Sequence, residues 1–523
     1  MTRQLSVLLL AIALGSPTAS QVRYANPVLP GDHPDPSIIR VGDDYWATAT
    51  TSQWAPIFPL LHSRDLVNWE HVGAVFEKPP AWSSGSYWAP EIAQRGGRFF
   101  VYYTARRKAG PLCVAVATAP QPQGPYTDNG PLVCQDVGSI DGVLIDDENG
   151  RPHLVWKEDG NSQKRPTPIW AQRLSPSGTA LVGTRRELLR NEAPWEAHLI
   201  EGPFILRRGE WFYMFYSADA CCGRKCNYKL GVARARALLG PWERHPKNPI
   251  LAGNDDWKCP GHGSIVTTAD GRDFLLYHAY HPGNFQFAGR QGVLDEITWN
   301  ADGWPAINEA RGPSGRAVVP HGIAPREEED GFIDELTGPA LRPGWQWPWN
   351  RAPQHSFMAG ALVLRAPATG ADSATAAIVA RPALTGDYTA IARVVAHRSM
   401  QQAMVGLAAY GDADNAIGAS VRGEQVVLWM RTKGEQRELA SAPTALGPVV
   451  DVRMKASDGH RFAFAFSTNG RDWQTLGGEA DGEHLPPWDL AVRVALTVGG
   501  APRAEGRFDS LRVISAGVAS PRR

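Results

Sequence analysis

Five stretches decide the fold: GDDYWATATT (42–51), GGRFFVYYTA (96–105), NGRPHLVWKE (149–158), GEWFYMFYSA (209–218) and GRDFLLYHAY (271–280). Each opens on a Gly, Asp or Asn turn and runs into an aromatic-rich apolar segment of β-forming residues. Aligned on Ala49, Tyr103, Trp156, Tyr216 and Tyr277, the copies recur at intervals of 54, 53, 60 and 61 residues. Further β-like runs lie between them, such as Leu112–Ala119 and Leu230–Ala235, and no long amphipathic helix appears. Five strand-only units of this length predict an all-β, five-bladed β-propeller with about four strands per blade. An irregular β-sandwich is the competing architecture.

The same register predicts the site. Fourteen residues before Ala49 stands Asp35, in HPDPS; fifteen before the other four aligned positions stand Trp88, Asp141, Glu201 and His262. Each lies in a Gly/Pro/Ser-rich setting just ahead of a β run. Equivalent positions of a propeller surround its axis, where a purely structural ring would favour small or apolar residues. Three crowded carboxylates cannot all behave as solvated acids: repulsion and burial keep one protonated while another is ionised. Glycoside hydrolysis needs such a pair, one carboxyl to protonate the leaving oxygen and one to activate water or attack. Trp88 offers a flat apolar face to a sugar ring. Binding of a divalent cation by three carboxylates and a histidine is the alternative chemistry. Taken singly, Asp35 and Asp141 also read as turn residues.

The 523 residues carry 53 Lys+Arg against 53 Asp+Glu, and this balance excludes a polyanion such as nucleic acid as the main partner. Hydrophobic content of 43% excludes a disordered chain. Residues 1–20, MTRQLSVLLLAIALGSPTAS, read as a signal peptide, and no later run is long enough to span a bilayer. A secreted or periplasmic protein with no membrane partner is expected, its oligomeric state unspecified. In that setting the six cysteines predict disulfides: Cys113 with Cys134, and the cluster Cys221, Cys222, Cys226 bridging internally and to Cys259. A zinc site is the rival for that cluster.

Seven motifs, in order from residue 33 to 305, resemble glycoside hydrolase family 43: HPDPSII, SRDLVNWEHVG, YWAPEI, SIDGVLIDDENGRPHLVW, IEGPFILRRGEWFYMFYS, GHGSIV and GRQGVLDEITWNADGWP. The resemblance covers roughly residues 24–318. It implies inverting hydrolysis of xylose- or arabinose-containing oligosaccharides or polysaccharides. Asp35 would then be the general base and Glu201 the general acid, with Asp141 tuning and orienting that acid. The base and acid carboxyls should stand roughly 6.5–9.5 Å apart. His33, Trp88 and Arg290 would bind substrate. His262 resembles a central histidine that in some members approaches a structural calcium or a water; no cofactor is otherwise required. The stretch CCGRKCNY (221–228) departs from the family pattern. Five-bladed sucrose and fructan hydrolases carry a different first motif, NDPNG-like, and work by retention. A non-catalytic carbohydrate-binding propeller, and an arabinan- or galactan-cleaving member of the family, are the other readings.

Residues 21–318 form the predicted propeller and 319–332 a linker. A β-sandwich is expected over 333–516, followed by a tail at 517–523. Its strands are expected at Ala361–Arg365, Tyr388–Val395, Met404–Tyr410, Gln425–Met430, Val450–Met454, Arg461–Ser467, Leu490–Thr497 and Ser510–Ile514. This half resembles the lectin-like, concanavalin-type sandwich attached to β-xylosidases of the family. In GWQWPWN (344–350), Trp345, Trp347 and Trp349 alternate and would share one face of an extended strand. That face reads either as a sugar platform or as inter-domain packing.

Overall fold

The computed structural model describes residues 22–283, 285–321, 331–370, 373–395, 403–444 and 447–516. The expected signal peptide, the tail and residues 322–330 of the linker lie outside the described residues.

Each aromatic repeat becomes the second strand of a four-stranded antiparallel sheet, and five such sheets follow one another. In the first, Ser37–Val41, Asp44–Thr48, Ile57–Ser63 and Trp69–Phe76 pair in chain order. The other four open with Trp88–Arg95, Ser139–Asp146, Ile200–Arg208 and Lys258–Thr267. These opening strands neighbour one another in a closed ring, from the first blade round to the fifth and back. The repeats are apolar without alternation because the second strands are covered on both faces by adjacent blades. Asp273–Tyr280, for example, is buried along its whole length. The ring is closed by the chain start: Arg23–Ala25 pairs with Arg316–Val318, and Asn26 Nδ2 donates to the carbonyls of Leu294 and Ser314.

The second domain stacks a nine-stranded sheet on a six-stranded one. Strand Tyr388–Val395 shows why: alternate residues are buried and half-buried, the period of a sheet with one face on the core. Its Ala390, Ala392 and Val394 meet Val405, Leu407 and Leu496 of the facing sheet in one apolar cluster. Gly331–Asp334 already pairs with the last strand, Glu505–Ser515, so the sandwich takes its first residues from inside the 319–332 segment. The strand expected at Leu490–Thr497 begins instead at Arg493 and ends at Gly499. The residues before it bend over the mouth of the propeller.

The tryptophans of 344–350 do not share a face. Trp345 is buried in the sandwich core, where its indole N–H donates to Asp334. Trp347–Pro348 pairs with Trp54–Ala55 of the propeller, and Trp347 and Trp349 pack against the first two blades. The segment is an inter-domain clasp: its short bridge splits the three indoles between two hydrophobic cores.

Candidate active site

Four of the five opening strands carry the same irregularity, a β-bulge, between Trp88 and Glu91, Ile140 and Val143, Glu201 and Phe204, and Gly261 and Ser264. The residue entering each bulge has positive φ: Ala89, Asp141, Gly202 and His262, matched in the first blade by Asp35. The sequence register therefore needs a correction. Asp35, Asp141 and His262 are structurally equivalent, but Trp88 and Glu201 sit one residue earlier, at the position that holds Pro34, Ile140 and Gly261 in the other blades. The offset comes from the hairpin beyond the bulge: blades two and four turn in two residues, 96–97 and 209–210, whereas blades three and five turn in five, 147–151 and 268–272, with one strand pair fewer, so they hold one residue more before the aligned position.

A second ring holds the first. The residue after each aligned aromatic is Thr50, Thr104, Lys157, Ser217 or His278. Thr50 Oγ1 accepts the Ala89 amide (2.7 Å), Thr104 Oγ1 the Asp141 amide (3.1 Å) and Ser217 Oγ the His262 amide (2.8 Å). His278 Nδ1 accepts the Asp35 amide at 3.1 Å. Burial lowers His278 to about 4, so the ring is neutral and has a lone pair to offer. Only Lys157 cannot accept. The Gly202 amide donates instead to Asp141 Oδ2 at 2.8 Å, which ties the residue after Glu201 to the neighbouring carboxylate.

Asp35, Asp141 and Glu201 line one cavity of about 480 Å³ together with Trp88, Lys157, Asp159, His262 and Arg290. Asp35 Oδ1 takes Arg290 Nη1 at 3.0 Å and lies 3.4 Å from His262 Nδ1; its Oδ2 accepts from Thr50 Oγ1 at 2.7 Å. Burial alone would push its pKa up, but the Arg290 guanidinium and, after it, His262 outweigh that and hold it well below the carboxylate range. Glu201 receives Lys157 Nζ on Oε2 (2.7 Å) and the Tyr228 hydroxyl on Oε1 (2.9 Å). Those donors and His262 outweigh its burial and hold it below its ordinary value. Asp141 goes the other way: burial, reinforced by the charge on Glu201, pushes it up to about 6 despite His262 and Lys157. Asp141 and Glu201 titrate as a pair in which Asp141 is the more readily protonated member, while Asp35 is held toward its ionised form.

Gly202 has to be glycine. Its φ is +56°, and a Cβ there would lie 2.8 Å from the His262 ring. His33, in contrast, does not line the cavity: its amide donates to the Arg290 carbonyl (2.8 Å), and the residue is half-buried. The carboxylates are engaged by a guanidinium, an ammonium and hydroxyl donors, a set that repels a cation. No group of three or more His, Cys, Asp or Glu side chains among the described residues is arranged to hold a metal ion.

The six cysteines form three disulfides, Cys113–Cys134, Cys221–Cys222 and Cys226–Cys259. The 221–228 loop carries Tyr228 to Glu201. Cys226–Cys259 fastens it to the opening strand of blade five, while Cys221 and Cys222 line the cavity. Its Arg224 pairs with Glu483 of the sandwich. The sandwich itself contributes Trp488 and Asp489 to the cavity wall. Ser52 Oγ, which accepts from the Trp88 indole (2.9 Å), donates to Asp489 Oδ2 (2.8 Å), and Arg290 Nη2 reaches the Asp489 carbonyl (3.3 Å). Lys157, Tyr228 and Asp489 were not singled out by the sequence. Lys157 had a legible signal, as the one cation among five equivalent positions.

The model of glycosyl hydrolases family 43 matches residues 24–305, and that of the β-xylosidase C-terminal concanavalin A-like domain matches 334–487. The chain belongs to glycosyl hydrolase family 43. It is 33% identical over 318 residues to a xylosidase/arabinosidase of Humicola insolens, covering 56% of each chain. Over 376 residues it is 27% identical to a non-reducing end α-L-arabinofuranosidase of Bacteroides ovatus, covering 68% of this chain and 66% of the relative. The matches thus span between half and two thirds of those relatives. The solved family 43 protein BlXynB of Bacillus licheniformis superposes with a TM-score of 0.83 at 24% identity, over 94% of this chain and all of that one, so the two share a fold.

Proposed function

We propose that this family 43 hydrolase is an exported, inverting, exo-acting glycosidase that removes terminal xylose or arabinofuranose units from hemicellulose saccharides. One observation carries the reading: a single cavity is lined by three buried carboxyls, Asp35 bound to the Arg290 guanidinium, Glu201 bound to Lys157, and Asp141 bound to the Gly202 amide beside Glu201. One carboxylate can then activate water while a second carboxyl protonates the leaving oxygen, and inversion is the outcome the motifs of the first 318 residues imply. Asp35 takes a proton from water as its oxygen attacks the anomeric carbon. Glu201 delivers the pair's proton to the departing glycosidic oxygen, and Asp141 holds the Gly202 amide and buffers the proton. The balance is neutral: one proton enters at Asp35, one leaves at Glu201, and solvent exchange resets both. No cofactor enters these steps.

The choice of sugar rests on the relatives, named for xylosidase, arabinosidase and arabinofuranosidase activities. Exo action is supported by the cavity wall, to which the sandwich adds Trp488 and Asp489 and the cysteine loop adds Cys221 and Cys222, as expected of a pocket walled on several sides. Export is supported by the N-terminal segment and the three disulfides. Among the described residues no helix is long and apolar enough to cross a membrane.

The test is a panel of aryl xylosides, arabinofuranosides and galactosides with xylan and arabinan, run on wild type, Asp35→Asn and Glu201→Gln. Wild type should release single pentoses from chain ends, and each variant should lose at least about a hundredfold in kcat. Near-normal turnover by either variant rejects the assignment. Rapid shortening of internal arabinan chains would favour the arabinan-cleaving reading.

A further inference from the structure

We propose that Lys157 is a positioning residue for the leaving-group half of the reaction: its ammonium fixes the Glu201 carboxyl and balances the carboxylates clustered at that end of the cavity. This rests on Glu201 being the proton donor.

At four blades the position after the aligned aromatic is a small acceptor or a neutral imidazole, and it receives the amide of the next blade's bulge. At the third blade the same position holds a cation, so the ring bond is lost there and the Gly202 amide is passed to Asp141. A repeat that gives up its own structural bond at a single blade has been altered locally. The exchange also yields two contacts at once: Lys157 reaches Glu201, and Asp141 holds the backbone that carries Glu201.

Burial sharpens the point. The Lys157 side chain is 1% exposed, and its Nζ lies 2.7 Å from Glu201 Oε2 and 2.9 Å from Asp159 Oδ1. A lone buried ammonium would be costly, so its retention depends on both carboxylates. The groups facing Glu201 are Lys157 from its own neighbouring blade, Asp141 from the strand before it, Tyr228 from the cysteine loop and His262 from blade five. Lys157 is the one fixed cation among them. It limits the carboxyl to an orientation in which Oε1, held by a removable hydroxyl, is the oxygen free to turn toward a glycosidic oxygen.

Two variants separate positioning from packing. Lys157→Met keeps the volume and removes the charge; Lys157→Arg keeps the charge. Each is assayed against an aryl glycoside with a poor leaving group, whose departure needs a proton, and one with a 2,4-dinitrophenyl group, whose departure does not. For Lys157→Met the expected result is a fall in kcat of tenfold or more on the poor leaving group. KM should change less than threefold, kcat on the dinitrophenyl glycoside should change less than threefold, and Lys157→Arg should recover part of the loss. An equal fall on both substrates, or no fall on either, overturns the proposal. If Lys157→Met does not fold, Asp159→Asn in the folded enzyme serves: it should alter turnover of the poor leaving group selectively, and an unselective or absent effect counts against the proposal. Glu201→Gln on the same two substrates tests the underlying assignment independently. If it slows both equally, the proton-donor role of Glu201 fails, whatever Lys157 does.

Discussion

Arg493 of the sandwich and Asp32 of the propeller form an ion pair, Nη1 to Oδ2 at 3.0 Å, with both side chains buried. The other Asp32 oxygen accepts the Arg290 amide at 3.3 Å, and the Trp54 indole covers the Arg493 guanidinium at 4.7 Å. The strand that opens at Arg493 is therefore joined, through Asp32, to the arginine that sits on Asp35. The sandwich is part of the wall and the support of the cavity.

Removing one member of such a pair leaves an uncompensated buried charge, which costs about 3–5 kcal/mol. Arg493→Met should lower stability toward urea by that order. The residual folded enzyme should lose activity, because Arg290 and Asp489 lose their common support. Urea unfolding followed by both fluorescence and activity checks it: wild-type stability with wild-type kcat would mean the domains are coupled elsewhere.

The pH profile follows from the carboxyls. Asp35 is held well below the carboxylate range, so the base stays ionised to low pH. Asp141 is raised to about 6, so the pair keeps its proton in mildly acidic solution and loses it on the way to neutrality. The kcat/KM profile should be flat from about pH 4 to 5 and fall on the alkaline side with an apparent pKa near 6, a value belonging to the pair. Linkage has the same sign. Folded Asp141 binds its proton more tightly than the unfolded chain, so its stabilising contribution is complete below 3.8 and is lost as pH rises through about 6. Asp141→Asn should flatten that slope, seen as thermal midpoints measured from pH 4 to 7.

Tyr228 donates to Glu201 at 2.9 Å and is held by a loop anchored through Cys226–Cys259. A hydrogen bond to a charged group is worth about 1.5–3 kcal/mol, so Tyr228→Phe should lower kcat roughly 10- to 100-fold. Cys226→Ser with Cys259→Ser should produce a smaller loss of the same kind by freeing the loop. Kinetics on the purified variants decide it. A disulfide variant far worse than Tyr228→Phe would assign the loop a further role.

Gly202→Ala should be disabling. An alanine at φ +56° costs roughly 1–3 kcal/mol, and its Cβ would meet the His262 ring at 2.8 Å. Either the ring or the backbone after Glu201 must move. Activity should fall further than the thermal midpoint suggests; an active, stable variant would show that the bulge adapts.

The blades were legible because buried strands between two sheets are written as unbroken apolar runs, and Tyr277 and Tyr216 mark them plainly. Asp35, Asp141 and His262 were legible because they occupy one repeat position. Trp88 and Glu201 stand in a register displaced by one residue, since the hairpins of their blades turn in two residues where those after Asp141 and His262 turn in five. Asp489 and Trp488 were not legible, because their place at the cavity depends on how two domains dock. The tryptophan trio failed as a shared face for the same reason: pairing of Trp347–Pro348 with Trp54–Ala55 sends neighbouring indoles to different cores.

The central claim is that water, activated by Asp35, displaces a leaving group protonated by Glu201 in a single step. Proton NMR of the first minutes of hydrolysis of an aryl pentoside reads this directly through the anomeric signal of the newly released sugar, before mutarotation. The account predicts that the first sugar to appear has the configuration opposite to that of the substrate. Initial release of sugar with retained configuration would contradict it.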